Sequence, residues 1–166
     1  MKLRYPVIIL TIALLPLSTN VFAAEAITES AARTVVDAVE AAMKKNDALG
    51  VANNLSADCI IKVSSPTPNG GRQNHQETRE QFIVAQQEDA KHTTDYHYQS
   101  SVQKVSIVDG KAVARVHSTS TYTENNQHLQ ISEDAVETLE LRAGRVFVTE
   151  VDVQEVGLTA DGRRFY

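Results

Sequence analysis

The chain has 166 residues, a net charge of −5 and one cysteine, Cys59. An acidic chain without a lysine- and arginine-rich cluster repels phosphate backbones, so this composition argues against nucleic acid as a partner. A single cysteine excludes an intramolecular disulfide, so stability must come from a hydrophobic core in which Cys59 is expected as a small buried side chain.

The N-terminus has the order of a cleavable secretory signal peptide. Lys2 and Arg4 precede an apolar run over residues 7–17, and a short polar stretch then leads to Ala23 and Ala24. The run is about half of the ~20 apolar residues that a membrane span requires. We therefore predict cleavage between Ala23 and Ala24, which gives a periplasmic or secreted soluble product without a membrane anchor. Cleavage would remove Lys2 and Arg4 from the 16 basic residues, so the mature chain would have 14 basic and 21 acidic residues and a net charge of −7.

Two helices are predicted at the start of the mature chain. After Thr28, a residue that can cap a helix, apolar residues recur at the spacing of one buried helix face. They are Ala32, Val35, Val36, Val39, Ala42 and Met43. Asn46-Asp47 then interrupts and re-caps the chain, and a shorter second helix is predicted to about Leu55.

One strand and a third helix follow. The β-branched segment Cys59–Ser64 predicts a strand, and the proline- and glycine-rich residues 65–71 predict a loop that does not pair in a sheet. Thr78 and Gln81, three residues apart, form a capping box that predicts the start of the third helix.

After His92 the apolar spacing changes from about 3.6 to about 2 residues, which predicts strands. Four long runs form a predicted antiparallel meander: 93–108, 111–123, 128–141 and 145–156. Asp109-Gly110 and Ala143-Gly144 are predicted hairpin turns, and residues 124–127 a longer polar turn. Residues 157–166 are predicted as a solvated C-terminal tail rather than an added strand.

The last run changes its apolar parity partway along. Val146 and Val148 are even-numbered, whereas Val151 and Val153 are odd-numbered. A β-bulge produces such a change and bends the strand, so we predict a sheet that curls around the helices. The predicted fold class is α+β, with three N-terminal helices packed in the concave face of a strongly curved mixed or antiparallel sheet, in one domain over residues 24–156.

This order of elements resembles the nuclear transport factor 2-like (NTF2-like) superfamily, with its snoaL-like and ketosteroid isomerase-like members. The resemblance extends from about Thr28 to Val156 and includes the sequence segment Val39–Asp47 followed by the segment Leu55–Ile61. It implies a cystatin-like α+β cone or barrel, an apolar cavity open at one end, and a homodimer packed through the sheet. It says far more about fold than about function.

The carboxylate base that isomerases of this superfamily use is absent from the corresponding place in this chain. Isomerases similar to this fold place a carboxylate base at the end of the first strand, just before a proline. This chain has Ser64-Ser65-Pro66 at that place. Serine is not basic near neutral pH without an activating base of its own, so the pattern argues against proton abstraction of that kind.

Two other enzyme classes of the superfamily remain open. Epoxide hydrolases orient a water with carboxylates and an arginine, for which Arg115, His117 and Asp152 are the candidates. His117 stands where a carboxylate is expected, and the alternative is that Arg115 and His117 form the solvated side of a strand. Dehydratases and cyclases use tyrosines and histidines, and the candidates for those roles are Tyr96, Tyr98, Tyr122, His97 and His117.

No cofactor or metal site is predicted, because none of the five histidines is paired at the spacing of a zinc site. Tyrosines in an apolar cleft also suit a binding pocket. Our first hypothesis is a non-catalytic exported protein that binds a small apolar molecule or a partner protein. Its predicted ligand-binding residues are Ser64, Tyr96, Tyr98 and Tyr122. The alternatives are a lyase, cyclase or epoxide-hydrolase-like enzyme using His117 with Tyr98 or Asp152, and a homodimeric module whose exposed sheet face is functional.

Overall fold

The computed structural model describes residues 26–67 and 69–165, so the predicted signal peptide lies outside the described residues. Three helices pack against one face of a seven-stranded mixed sheet. The helices are α1 (Glu29–Met43), α2 (Ala48–Ala52) and α3 (Arg79–His92). The strands are β1 (Leu55–Pro66), β2 (Arg72–Thr78), β3 (Thr93–Val108), β4 (Lys111–Glu124), β5 (Gln127–Arg142), β6 (Arg145–Ala160) and β7 (Arg163–Arg164). The predicted α+β class is confirmed.

The sheet has the order β2-β1-β6-β5-β4-β3, and β7 pairs with β6. Strands β3 to β6 form the predicted antiparallel meander. Strand β1 runs parallel to β6, with Ile61 opposite Val151, and antiparallel to β2. The sheet is therefore mixed and open, with β2 and β3 as its two edges. No helix within residues 26–67 and 69–165 has the length and apolar character needed to cross a bilayer.

The helix starts follow the local capping signals. The Thr28 hydroxyl accepts a hydrogen bond from the Ala31 amide at 3.2 Å, which caps α1 as predicted. The capping box of α3 is complete: the Gln81 amide donates to the Thr78 hydroxyl at 3.3 Å, and the Thr78 amide donates to the Gln81 side chain at 2.8 Å.

Helix α2 is shorter than predicted. Asp47 caps it by accepting from the Gly50 amide at 2.9 Å, and the helix ends at Ala52. Leu55 already pairs with Val148 in the sheet, so pairing with a strand distant in the sequence overrides the local helical pattern.

The predicted bulge in β6 is present at the predicted place. Thr138 lies opposite Glu150 and Leu139 opposite Val148, so Thr149 is the extra residue. The bulge lets the even-numbered valines before it and the odd-numbered valines after it face the helices. The core that results joins buried residues of α1 and the inner sheet face, among them Ala32, Val36, Val39, Cys59, Ile61, Ala114, Leu139 and Val148. Cys59 is buried as predicted.

Two predictions about the first half of the sheet are wrong. Residues 65–71 were predicted not to pair, but β1 extends to Pro66, which pairs with Arg72. Strand β2 was not predicted at all. It lies at an edge of the sheet and is almost entirely exposed, so it lacks the alternating apolar residues that reveal a strand.

Two predictions about the last strands are also wrong. The predicted longer turn over residues 124–127 is a two-residue turn of Asn125 and Asn126, whose φ angles of 50° and 64° asparagine tolerates well. Residues 157–166 were predicted to carry no strand, but β6 continues to Ala160 and β7 pairs with it. The turn between them is Asp161-Gly162, the same dipeptide type that was recognised at Asp109-Gly110.

Candidate functional site

The helix-covered side of the sheet holds a cavity of about 400 Å³. Edge strand β2 contributes His75 and Glu77 to its wall, the opposite edge strand β3 contributes Tyr96 and Tyr98, and Val153 of β6 lies between them. A flat sheet would keep its two edges far apart, so shared lining by β2 and β3 shows that the sheet curves around the cavity.

The cavity continues inward into a smaller space of about 100 Å³, which we term the narrow end. The two spaces share Tyr98, Glu133 and Val153 as lining residues, together with Met43 and Phe82 of the helices. Core residues such as Val39 of α1 and Val116 of β4 line the narrow end. The result is a tapering site whose wide part opens beside α3 and whose inner part is mostly apolar.

The three tyrosines predicted to bind a ligand all line this cavity. Tyr98 is 7% exposed, and its hydroxyl donates a hydrogen bond to Oε2 of Glu40 at 2.9 Å. Burial, with nearby carboxylates, raises the pKa of Tyr96 to about 12 and also raises the pKa values of Tyr98 and Tyr122. All three rings therefore stay neutral near neutral pH and keep their hydroxyl protons for hydrogen bonding.

Ser64, predicted to bind a ligand with the tyrosines, lies on the outer face of the sheet instead. Side chains alternate along β1, so Ile61 and Val63 face the cavity while Lys62 and Ser64 face away. The Ser64 hydroxyl accepts a hydrogen bond from Nε of Arg72 at 2.8 Å. The structure therefore separates Ser64 from the tyrosines by the thickness of the sheet.

The two catalytic candidates, His117 and Asp152, also lie on the outer face. His117 shares the face of Asp134 and forms a pair with it, Nδ1 to Oδ1 at 2.8 Å, with its side chain 43% exposed. Asp152 is half-exposed and lies 3.8 Å from Nζ of Lys62. Neither residue lines the cavity, so a pocket of His117, Asp152 and the tyrosines is not assembled.

A second hollow, of about 660 Å³, lies on this outer face. Ser64 and Asp152 line it with Lys62 and the edge strand β2. It is a broad, solvent-facing depression lined mainly by polar side chains, and no buried ionisable group is among its lining residues. We therefore place the candidate site in the inner cavity.

Three glutamates that the sequence did not single out define the chemistry of the narrow end: Glu40 of α1, and Glu133 and Glu137 of β5. Glu137 is 4% exposed, and its Oε2 atom has no hydrogen-bond partner. Burial, together with the charge of Glu40, raises the pKa of Glu137 to about 8. Burial and the charge of Glu155 likewise raise the pKa of Glu133, whose Oε2 accepts weakly from Ser118 at 3.5 Å.

Two of these glutamates can be recognised from the alternation of inward- and outward-facing residues along β5. The apolar residues that face the helices are odd-numbered: Ile131, Ala135, Leu139 and Leu141. Glu133 and Glu137 have the same parity, so they occupy core-facing positions on a strand with period 2. Glu40 lies one helical turn after the buried Val36, beside the apolar stripe of α1.

The electrostatic character of the whole cavity is negative. Among the described residues, those that line its two parts include no lysine or arginine, one histidine, and seven carboxyl groups. The seven are Glu40, Glu77, Asp89, Glu124, Glu133, Glu137 and Glu155. His75 is paired with Glu77, Nε2 to Oε1 at 3.0 Å. The described part of the chain contains no group of three or more histidine, cysteine, aspartate or glutamate side chains placed to hold a metal ion.

A scan of the chain against protein-family models and a search of the curated proteins give no match. Solved structures do match, at low sequence identity. A conserved protein from Planctomyces limnophilus DSM 3776 superimposes with a TM-score of 0.61 at 18% identity, over 77% of this chain and 95% of its own. A ketosteroid isomerase-like protein from Erwinia carotovora atroseptica SCRI1043 gives a TM-score of 0.58 at 14% identity, over 76% and 95% of the two chains.

An NTF2-like protein from Cytophaga hutchinsonii ATCC 33406 gives a TM-score of 0.60 at 15% identity, over 78% of this chain and 99% of its own. Identities this low establish the fold alone. The chain therefore has the NTF2-like fold, and the resemblance seen in the sequence is confirmed at that level.

Proposed function

We propose that the protein is an exported binding protein that holds one small, largely apolar molecule in the inner cavity. The observation that supports this most directly is the cavity itself, since its volume of about 400 Å³ falls within the roughly 300–1,000 Å³ of small-molecule sites. Apolar side chains line its inner part, among them Met43, Phe82 and Val153.

The polar groups of the narrow end are few and convergent, which is what orients a bound molecule. The Tyr98 hydroxyl is already fixed by Glu40, and the unpartnered Oε2 of Glu137 offers a position for a ligand atom. Because the candidates His117 and Asp152 lie outside the cavity, we propose binding rather than catalysis by those residues.

Blocking the cavity from one strand tests this proposal. Ser120 lines the cavity, whereas its neighbour Thr121 is not among the lining residues. We expect the neutral fluorophore prodan to bind the wild-type protein saturably with a blue-shifted emission, and Ser120→Trp to weaken binding by about tenfold or more, about 1.4 kcal/mol. The matched variant Thr121→Trp places the same ring on the outer face and should bind like the wild type.

Equal binding of prodan by the two tryptophan variants would place the dye outside the cavity and contradict the proposal. A comparison of the wild-type protein with Ser120→Trp also tests for natural ligands. Molecules released from the purified wild-type protein by denaturation should be absent from Ser120→Trp and chemically unchanged over time. A bound molecule that the protein converts to a product of different mass would instead favour an enzyme.

Export is the second part of the proposal, and it rests on the N-terminal sequence. Expressed in a bacterium with its own N-terminus, the protein should accumulate in the periplasm with an intact mass that begins at Ala24. Ala23→Arg should prevent this processing, because the position before the cut accepts only small residues. Full-length protein retained in the cytoplasm of cells expressing the unaltered sequence would refute export.

The dimer predicted through the sheet stays a prediction. On the described part of the outer sheet face, charged pairs such as His117 with Asp134 and Lys62 with Asp152 are exposed.

A further inference from the structure

The charge and the unsatisfied group of the narrow end together specify the ligand more closely than its volume does. Oε2 of Glu137 is buried without a hydrogen-bond partner in a side chain that is 4% exposed. Buried carboxyl oxygens without a partner are rare and destabilise the folded protein. A ligand that donates a hydrogen bond at this point removes that destabilisation.

The neighbours of Glu137 show which kind of donor fits. Glu40 faces it from α1, and Glu133 lies on the same strand and faces the same narrow end. Tyr98 from β3 and the Cys59 thiol from β1 are the other titratable groups near it, and burial raises the pKa of both. No lysine, arginine or histidine is among the described lining residues of the narrow end. Opposite charges attract strongly where water is scarce, so a positively charged donor gains most.

The tyrosine rings add a second attraction of the same sign. Tyr96, Tyr98 and Tyr122 line the cavity. The faces of aromatic rings attract ammonium groups, and such contacts are strongest where the cation is desolvated. Met43, Phe82 and Val153 supply an apolar surface next to these rings, which requires a ligand with an apolar body as well as a charge.

We propose that the ligand of the inner cavity is an organic cation, an ammonium group on an apolar body, with the ammonium in the narrow end among Glu40, Glu133 and Glu137. This inference rests on the proposed binding function and deepens it. It excludes a bare metal ion as the occupant, because the carboxyl groups of the described residues are not clustered at metal-ligand distances. It also disfavours anionic ligands, because no lysine or arginine is among the described residues that line the two parts of the cavity.

Two probes of the same shape test the proposal by isothermal titration calorimetry. Benzylammonium is positively charged at pH 8 and has N–H groups that can donate hydrogen bonds, and ethylbenzene replaces its nitrogen with carbon. We expect the wild-type protein to bind the cation about tenfold or more tightly than the neutral probe at pH 8. Glu137→Gln should remove most of this preference while leaving the neutral probe unaffected. Asp134→Asn removes one negative charge from the outer face of the same strand and should leave the preference intact.

The pH dependence supplies an independent readout. A bound cation favours the ionised form of Glu137, so binding should release a proton, and the affinity for benzylammonium should rise about tenfold or more between pH 6 and pH 8. The affinity for ethylbenzene should not change over this range. Glu133→Gln, which keeps Glu137, should retain the rise and serves if Glu137→Gln proves too weakly folded to titrate.

The outcomes separate the two proposals. If neither probe binds and prodan does not bind, the cavity-binding function itself is wrong. If ethylbenzene binds as tightly as the cation, the cavity binds ligands but the inferred charge is wrong. A cation preference that Glu137→Gln and Asp134→Asn reduce equally would place the cation elsewhere and also overturn the inference.

Discussion

Replacing Glu137 with glutamine should stabilise the protein more and more as the pH rises. The folded protein holds the proton on Glu137 up to a pKa of about 8, whereas the unfolded chain releases it near 4.5. Between these values the unfolded state binds fewer protons, so this carboxyl group makes the wild-type protein less stable as the pH increases. Relative to the wild type, Glu137→Gln should gain about 3 kcal/mol of unfolding free energy between pH 5 and pH 8.

Urea denaturation of both proteins at three or more pH values measures this difference. The carboxyl groups of Asp58, Glu88, Glu140 and Glu150 have lowered pKa values and give the opposite trend, but they are present in both proteins and cancel. Glu29→Gln, at an exposed glutamate of α1, should follow the wild-type pH profile. Parallel profiles for Glu137→Gln and the wild type would mean that Glu137 is ionised or solvated in the folded protein.

Replacing Leu139 with alanine should destabilise the protein by about 3 kcal/mol, within the range of buried leucine truncations. Leu139 is fully buried in the core that joins β5 to Ala32 and Val36 of α1. Removing its side chain leaves a void where the sheet meets the helix, and the surrounding backbone can close it only in part. The expected measurement is a lower midpoint of urea denaturation with an unchanged slope.

Leu49→Ala is the matched control for this substitution. Leu49 lies in α2 and is 57% exposed, so the same chemical change should cost about 0.5 kcal/mol or less. If the two leucine variants lose equal stability, the inner face of the sheet is not packed against α1. The curved arrangement that forms the cavity would then be wrong as well.

Local signals in the chain predicted most elements because short-range physics decides them. The capping box of Thr78 and Gln81 depends on atoms three residues apart, and the Asp109-Gly110 turn depends on two adjacent residues. The bulge at Thr149 could be predicted because the apolar residues of β6 change from even to odd numbers, a change that a β-bulge produces. Strand β2 was missed because an exposed edge strand carries no apolar pattern.

The candidate site was only partly predictable for the same reason. Tyr96, Tyr98 and Tyr122 were recognised from their residue type, whereas Glu133 and Glu137 look like ordinary surface residues until their parity on β5 is considered. His117 and Asp152 were candidates because their residue types suit catalysis, but the direction of a strand side chain depends on register.

By itself, the sequence determined the elements that depend on neighbouring residues: the helix starts, the hairpin turns at Asp109-Gly110 and Ala143-Gly144, the bulge and the α+β class. Only the tertiary structure decided which face of the sheet became the wall of the cavity. The parallel pairing of β1 with β6 joins residues about ninety positions apart, and the cost of closing such a long loop is met only by burial across the whole core. That burial turned Glu137 inward and left Ser64, His117 and Asp152 on the solvent side.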